Sequence, residues 1–348
     1  MKMCQALGSQ GHDVVLVAPD FDEQYETNIN TDYDFYKVEQ NFKIMKLKVP
    51  KMKGRIFLYA LQTLFFMIKN KSDLVYSRFI LSSYLAVLIG KNVVFESHSS
   101  IYSDNKLTQN IFKRLIKNKY FLKLVVISEK LKEVYLHNNI SNDKIYVAHD
   151  GADEVKNKDL NIPLQGTNEL NIGYIGHLYE GKGMEVIEGI ASKLSHCSFH
   201  IVGGTPKDIA YWSQKITVPN VYFYGFVTQD KVQKYINSMD ICLLPNQKVV
   251  HTHGSLKQNI SEYTSPLKMF EYMASKKAII ASDLPVLREV LNENNSLLVQ
   301  CDDYEKWIEA VLKLTDRSLR EKIATEAHKD FKESFTWKQR AKNILKVI

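Results

Sequence analysis

The stretch GYIGHLYEGKGMEVIEGIASKL (173–194) joins an apolar strand pattern to an amphipathic helix through a short glycine-rich loop. The strand ends at Gly176, and the loop contains His177, Lys182 and Gly183 before the helix begins. A helix N-terminus presents backbone N–H groups and a partial positive charge, which together with a lysine stabilise a phosphate. The pattern therefore predicts a site that would fit a diphosphate. The alternative is an ordinary strand-to-helix turn that uses glycine for its backbone angles.

Strand-like and helical patterns alternate on both sides of this stretch. The strand-like runs are DVVLVAP (13–19), DLVYSR (73–78), NVVFES (92–97), LVVIS (124–128), KIYVAHDG (144–151), LNIGYIG (170–176), FHIVGG (199–204), VYFYG (221–225), ICLLP (241–245), AIIAS (278–282) and SLLVQ (296–300). Helical patterns lie near 54–69, from about 80, near 106–120, 183–194, 206–215, 229–238 and 266–275, with a short helix after 282 and two closing helices. Repeated strand–helix–strand units imply right-handed crossovers and parallel sheets that helices cover on both faces. The chain is therefore predicted to be α/β, with two doubly wound Rossmann-like domains facing each other across a cleft.

A polar stretch from Glu154 to Glu169 separates the two runs of alternation. We place an N-terminal domain at 1–153, a C-terminal domain at 154–330, and a closing helix at 331–348 that packs back on the first domain. The chain opens with KMCQALGSQGH, which is typical of the end of a helix, and a strand follows it. The first strand of the N-terminal domain is therefore expected to be missing from this sequence, through a late start codon or a truncated gene.

Composition excludes several classes of protein. With 45% apolar and 24% charged residues and only 8 Pro among 348, the chain is neither disordered nor fibrous. Its four cysteines form no CxxC pair, which argues against a zinc site and a disulfide framework and fits a reducing cytoplasm. No signal-peptide pattern and no run of about 18 apolar residues occurs, so neither export nor a membrane span is expected.

The charge is concentrated in one part of the chain. Residues 43–123 contain 16 Lys or Arg and three acidic residues, so the net charge of this segment is +13. The net charge of the whole chain is +7, so the remainder has a net charge of −6. Such asymmetry indicates a polyanionic partner, either nucleic acid or anionic lipid. No nucleic-acid recognition module is present, so nucleic acid is the weaker alternative.

One basic stretch favours lipid. KIMKLKVPKMKGRIFLYALQTLFFMIKNK (43–71) combines eight basic residues with an apolar helix too short to span a bilayer. With its lysines on a loop before the helix, it predicts docking on an anionic membrane surface. The alternative is a crossover helix whose apolar face is buried.

A second block, SEYTSPLKMFEYMASKKAIIASDLPVLREVL (261–291), predicts another helix N-terminus. Ser265 is expected to cap the helix and Pro266 to occupy its first position. Glu271 lies about a turn and a half into the helix, where its carboxylate would accept hydrogen bonds from a ribose diol. A solvated helix Glu is the alternative.

These two blocks, with GFV (225–227), DICLLP (240–245) and FTWKQRAKNIL (335–345), resemble the donor half of a GT-B-type glycosyltransferase of family 4. The resemblance extends from QALGSQGHDVVLVAP to the end of the chain. It implies that Lys182 and His177 hold the diphosphate of a nucleotide sugar and that Glu271 binds the ribose. The implied donor-binding residues are Gly176, His177, Lys182, Gly183, Gly225, Phe226, Val227, Ser265, Pro266, Leu267, Lys268 and Glu271, with GFV holding the nucleobase.

Three departures from the family pattern occur. His177 replaces the usual Arg, Tyr263 occupies the first position of the paired-Glu motif, and SPLK replaces a Phe-Gly stretch. Because Tyr263 leaves no evident enzymic nucleophile, we expect the acceptor to attack on the face that the leaving phosphate vacates. The catalytic residues implied are His98, Lys182 and Glu271, with His98 at the end of FESH (95–98) near the sugar and the acceptor.

The resemblance implies a retaining transfer of a hexose-type sugar from a nucleotide-diphosphate sugar to a glycan or lipid-linked acceptor, in cell-envelope polysaccharide assembly. No DxD-like pair follows a strand, so no metal and no cofactor are expected, and the nucleotide sugar is a substrate. The expected location is cytoplasmic, peripheral on the inner face of the plasma membrane. The alternatives are a non-catalytic GT-B-fold binding subunit or truncated pseudo-enzyme, and, within the fold, a nucleotide-sugar epimerase.

Overall fold

The computed structural model of the protein describes residues 1–20, 31–155, 160–166, 168, 170–252, 255–259 and 261–348. The chain divides into two compact units. Unit 1 comprises Met1–His149 with Trp337–Ile348, and unit 2 comprises Asp150–Thr336. Glu169 and parts of the polar stretch before it lie outside the described residues.

In unit 1, parallel strands alternate with helices. The strands are β1 (Val15–Asp20), β2 (Lys43–Lys48), β3 (Leu74–Ser77), β4 (Asn92–Ser97), β5 (Phe121–Val126) and β6 (Ile145–Val147). The helices are α1 (Lys2–Gly8), α2 (Asp32–Tyr36), α3 (Arg55–Lys69), α4 (Ile80–Leu88), α5 (Lys106–Lys117), α6 (Glu129–His137) and, from the end of the chain, α13 (Trp337–Leu345), which packs against α1. Within the described ranges the strands of unit 1 form two parallel sheets, β1–β2 and β3–β4–β5–β6.

Unit 2 is built around a six-stranded parallel sheet. Its strands are β7 (Leu170–Ile175), β8 (Cys197–Val202), β9 (Val221–Gly225), β10 (Ile241–Leu244), β13 (Ala278–Ser282) and β14 (Leu297–Val299), and β11 (His251–Thr252) with β12 (Ser255–Asn259) form an antiparallel hairpin. Its helices are α7 (Met184–Ala191), α8 (Pro206–Lys215), α9 (Gln229–Ser238), α10 (Leu267–Ala274), α11 (Tyr304–Lys313) and α12 (Arg317–Ser334). The strand order is β14-β13-β10-β7-β8-β9.

The unit 2 sheet is buried on both faces. Phe199 and Trp307 belong to one buried apolar cluster, and Phe270 and Phe331 belong to a second. Alternate residues of the strands enter the two clusters, which explains why the strands are continuous apolar runs in the sequence. The predicted α/β class with parallel sheets is confirmed in both units.

The prediction that the lysines before α3 lie on a loop is wrong for three of them. Lys43, Lys46 and Lys48 belong to β2, which pairs with β1 in parallel. Ile44 and Leu47 are half-buried, whereas the three lysines and Met45 are exposed, as in an edge strand that carries lysine. This strand is hard to recognise in the sequence because its apolar residues do not keep a period of two and its lysines resemble a solvated loop.

The short helix expected after residue 282 is also absent from the described residues 283–295. Successive turns occupy this segment, closed by bonds such as the one from Leu287 N to Leu284 O of 2.9 Å. The Asn295 side chain donates to the Val290 carbonyl and holds the end of the segment. Backbone bonds from Arg288 N to Leu284 O and from Leu291 N to Leu287 O also close turns here, but these turns do not continue into a helix.

No helix in the described part of the chain is long and apolar enough to cross a membrane.

Candidate functional site

The sheet of unit 2 changes direction between β7 and β10. The chain adds β8 and β9 on one side of β7, then returns to add β10, β13 and β14 on the other. Ligands of open parallel sheets bind at the carboxyl ends of the strands at such a switch point. Helix α7 follows β7, and α10 is the next described helix after β10. These are the helices of the two blocks, 173–194 and 261–291, that the sequence singled out.

Helix α7 begins at a glycine that no other residue could replace without a clash. Gly183 is the N-cap with φ 89°, and a Cβ placed on it would lie 1.9 Å from the Pro245 carbonyl oxygen at the end of β10. No described side chain caps this helix. A glycine at the N-cap has no side chain that could cap the helix. The N–H groups in the first turn of α7 are therefore suited to donating hydrogen bonds to a ligand at the switch point.

Glycines also end the strands next to the switch point. Gly176 has φ 143°, and its N–H donates to the Val202 carbonyl at 2.9 Å. Gly203 donates to the Gly225 carbonyl at 2.7 Å, which joins the ends of β8 and β9. Three neighbouring strands thus end without side chains, so a ligand could approach the backbone closely.

The predicted start of α10 needs a correction. Pro266 is the N-cap rather than the first helical residue, and no described side chain caps the helix. The Ser265 hydroxyl instead accepts a hydrogen bond of 3.1 Å from the backbone N–H of Asp150. Ser265 therefore anchors the loop before α10, while exposed Leu267 and partly exposed Lys268 begin the helix.

Lys268 brings a buried amine to this place. Its Nζ lies 3.9 Å from the ring centroid of Tyr174 and has no hydrogen-bond partner among the described residues. Burial lowers the pKa of Lys268 well below its ordinary value, and Lys182 lowers this pKa further, whereas Glu271 raises it. The amine lies 3.4 Å from where a Cβ on Gly176 would be, so it points toward the loop that precedes α7.

Lys182 is the second amine. It is partly buried in that loop, with Nζ 5.2 Å from the ring centroid of Tyr179, and burial lowers the pKa of its amine. Two lysines and two helix N-termini with no side-chain cap among the described residues therefore converge at the switch point, an arrangement suited to an anion with several charged oxygens. Within the described ranges, no group of three His, Cys, Asp or Glu side chains is arranged to hold a metal ion.

Among the remaining residues predicted in unit 2, Glu271 lies one helical turn after Lys268 on α10 and raises the pKa of the Lys268 amine. The Glu271 carboxylate accepts a bond of 3.4 Å from Nε2 of Gln229, the first residue of α9. Gln229 follows the 225–228 loop, in which Phe226 is 82% exposed and Val227 is half-buried. Glu271 is thereby linked to the loop that carries an exposed aromatic ring. His177 is exposed, and its carbonyl accepts a bond of 2.6 Å from the Tyr174 hydroxyl.

His98 lies in unit 1, in a buried charge network that the sequence analysis missed. His98 and Tyr76 are both hydrogen-bonded to the Glu96 carboxylate, and Arg340 of α13 donates to it at 3.0 Å. Burial would raise the pKa of Glu96, but Arg340 and the bond from His98 hold it well below its ordinary value. A charged residue inside the apolar run NVVFES signals a buried partner, but the sequence does not show which residue that partner is.

Two family models match the chain. The model for glycosyl transferases group 1 matches residues 169–317, and the model for glycosyltransferase family 4 matches residues 1–156. An uncharacterized glycosyltransferase of Methanocaldococcus jannaschii is 25% identical over 73% of this chain and 63% of its own length. The Bacillus subtilis protein TuaH, whose name assigns it to teichuronic acid biosynthesis, is 23% identical over 43% of this chain and 39% of its own length. The chain thus spans less than two thirds of either relative.

Solved structures share the fold at low identity. A glycosyltransferase from Rickettsia africae superposes with a TM-score of 0.75 at 18% identity, covering 99% of this chain and 92% of that one. Sucrose-phosphate synthase from Thermosynechococcus elongatus gives 0.73 at 17% identity, covering 99% and 90%. Anabaena Alr3699/HepE in complex with UDP and glucose gives 0.69 at 12% identity, covering 96% and 99%. With both halves matched by family models and both units Rossmann-like, the chain belongs to the group 1, family 4 glycosyltransferases and has the GT-B fold.

Proposed function

We propose that the protein is a retaining glycosyltransferase that moves a hexose-type sugar from a nucleotide-diphosphate sugar to a glycan or lipid-linked acceptor. The observation that carries the proposal is the convergence of Lys182, Lys268 and the N-termini of α7 and α10 at the switch point of the unit 2 sheet. That arrangement matches the charge of a diphosphate. Glu271 and the loop with Phe226 lie beside it and would receive the ribose and the base.

The chemistry that follows is displacement at the anomeric carbon. The bond from that carbon to the diphosphate breaks, and an acceptor hydroxyl attacks on the same face and gives its proton to the departing diphosphate. Negative charge develops on the departing diphosphate, and the preorganised amides with Lys182 would stabilise it without a metal ion. Tyr263 is buried where the family places its first paired Glu, so the proposal includes no covalent enzyme intermediate. His98 is proposed to act near the sugar and the acceptor.

The role in cell-envelope polysaccharide assembly is supported by the B. subtilis relative, whose name assigns it to teichuronic acid biosynthesis. A complex of a protein with the same fold contains UDP and glucose, which agrees with a nucleotide-sugar donor.

Thermal unfolding with a panel of UDP, GDP, ADP and dTDP sugars tests the donor class. A donor should raise the unfolding temperature, because a ligand that binds only the folded state stabilises it. Incubation with glycan acceptors then tests transfer, and the NMR coupling of the product's anomeric proton tests retention. Activity in the presence of EDTA tests metal independence. Stabilisation without transfer to any acceptor would support the binding subunit instead, and no stabilisation by any sugar nucleotide would contradict both.

Replacing Glu271 by alanine should weaken UDP binding about tenfold or more, since a hydrogen bond to a charged group contributes about 1.5–3 kcal/mol. The loss should be much smaller for 2′,3′-dideoxy-UDP, which lacks the hydroxyls that the carboxylate would accept from. Calorimetric titration of both ligands measures the difference. Glu262→Ala, which removes an exposed carboxylate nearby in the sequence, is the control and should change neither affinity. Equal losses for both ligands would assign Glu271 to support of the helix.

We further propose that the protein works on an anionic membrane surface. Along α3, Phe57, Leu61, Phe65 and Ile68 form one stripe in which the side chains are 48% to 61% exposed. The buried face of the helix lies elsewhere, at Ala60, Thr63 and Met67. An exposed apolar stripe on an amphipathic helix suits the boundary between headgroups and acyl chains.

The charges beside the stripe match an anionic leaflet. Lys51 and Lys53 lie in the turn before α3, and Lys69 and Lys71 lie at its end, all exposed. Each lysine near such a surface contributes about 1 kcal/mol. We therefore place the protein on the cytoplasmic face of the membrane, where it would meet a lipid-linked glycan acceptor.

Co-sedimentation with phosphatidylglycerol vesicles tests this surface. The protein should pellet at low salt and be released as salt is added, because the attraction is screened. Leu61→Ser with Phe65→Ser, and separately Lys51→Ser with Lys53→Ser, should each lower the pelleted fraction at least several-fold.

The matched control is Lys113→Ser with Arg114→Ser, which removes two exposed charges from α5. This variant should pellet like the unmodified protein. An unmodified protein that stays in the supernatant at low salt, or a control that loses as much binding as the α3 variants, would contradict the assignment.

A further inference from the structure

The amine of Lys268 lies in surroundings that suit an ammonium poorly. Its Nζ is buried, and none of the described groups forms a hydrogen bond with it. The face of Tyr174 lies 3.9 Å away and attracts positive charge, but a ring face replaces only part of the water that an ammonium loses on burial. An ammonium here would therefore have three N–H donors and no described acceptor.

The charges around this amine act in opposite directions. Burial favours the neutral form most, and Lys182 favours it further because two like charges repel. Glu271, one helical turn further along α10, favours the charged form, although its carboxylate also accepts a bond from Gln229. The largest effect thus favours an uncharged Lys268.

We propose that Lys268 is a neutral amine before the donor binds and takes up one proton from solvent when the diphosphate of a nucleotide sugar binds. The bound anion supplies both the acceptors and the negative charge that a buried ammonium needs. The balance is simple: amine, proton and diphosphate form an ammonium–diphosphate pair, and the proton returns to solvent when the nucleoside diphosphate leaves. The inference rests on the proposed function, because it requires the diphosphate to bind beside Lys182.

Isothermal titration of the full chain with UDP-glucose, and in parallel with GDP-mannose, measures the proton directly. Each titration is made at one pH in HEPES and in Tris, which differ in ionisation enthalpy. The diphosphate of these donors is esterified at both ends, so each phosphate has one acidic group, which is ionised at neutral pH. A proton taken up near neutral pH therefore belongs to the protein. We expect about one proton per ligand, and an association constant that falls about tenfold per pH unit above the pKa of Lys268 in the free protein.

Two variants assign the proton to this residue. Lys268→Met removes the amine, and Lys268→Arg replaces it with a group that stays charged. Both should bind without proton uptake, and the pH dependence of binding should disappear with it. Lys313→Met, which removes an exposed lysine at the end of α11, should keep the full uptake.

The outcomes separate this inference from the proposed function. Binding of a donor without proton uptake, or uptake that persists in Lys268→Met, would overturn the inference and leave the donor site intact. Binding of neither donor would overturn the site itself and the inference with it. The unmodified protein alone gives the proton count, so the inference stays testable even where neither variant folds.

Discussion

Replacing Lys182 by alanine is expected to lower the rate of sugar transfer by about 100- to 1,000-fold, the usual effect of removing one preorganised group that stabilises a developing negative charge. Lys182 is only partly buried, beside the N-terminus of α7, where a diphosphate would lie against backbone amides. Its amine would neutralise charge that increases as the sugar departs. The rate constant with saturating donor measures this effect, because it separates transition-state stabilisation from donor binding.

The control for this variant is Lys313→Ala, which removes an exposed lysine of the same unit and should leave the rate unchanged. If the protein only binds its sugar nucleotide, the affinity for the nucleoside diphosphate becomes the measurement, and Lys182→Ala should lower it by about 10- to 100-fold. An unchanged rate together with an unchanged affinity would remove Lys182 from the site.

Replacing Arg340 by leucine is expected to lower the free energy of unfolding by about 3–5 kcal/mol, since it leaves a buried carboxylate without its cation. Arg340 and Glu96 are almost fully buried and lie 3.0 Å apart. The guanidinium also donates to the carbonyls of Ala148 and His149, at 3.2 and 2.9 Å. Urea unfolding at neutral pH measures the loss.

The same variant predicts a pH dependence with a definite sign. In the unmodified protein Glu96 has a pKa below its ordinary 4.5, so its ionised form stabilises the fold above that pH, and this contribution disappears as the pH falls. Without Arg340, burial dominates and penalises the ionised form. The difference in unfolding free energy between the two proteins should therefore shrink as the pH falls, first through the raised pKa of Glu96 in the variant and then below about 4.5, where the unmodified protein loses its own contribution.

An exposed ion pair provides the comparison. Lys130 and Glu133 on α6 lie 2.9 Å apart at the surface of the same unit. Lys130→Leu should cost less than about 1 kcal/mol, because solvent screens the pair. If Arg340→Leu lowers the free energy of unfolding by a similarly small amount, Tyr76 and His98 are sufficient to stabilise the Glu96 carboxylate.

Local patterns in the sequence were sufficient for the strands of unit 2 and for the loop that carries Lys182. Runs such as LNIGYIG and ICLLP are short, apolar and end in glycine or proline, which favours buried strands over helices. Glycine with lysine before an amphipathic helix predicted an anion site. The sequence did not decide how α10 begins, because Ser-Pro suits both a helix with a side-chain cap and the uncapped helix that is observed. Strand β2 was hidden because its lysines resemble a solvated loop.

The sequence by itself determined the α/β class, the alternation of elements and the position of the glycine-rich loop that carries Lys182, since each depends on neighbours within a few turns of chain. Only the tertiary structure decided which distant side chains meet. Lys268 reaches Tyr174 because β7 and β10 are adjacent in the sheet, and Arg340 reaches Glu96 across 244 residues of sequence because α13 packs in unit 1. These pairings depend on strand order and helix packing, which minimise exposed apolar surface over a whole unit, and no short window of sequence contains that information.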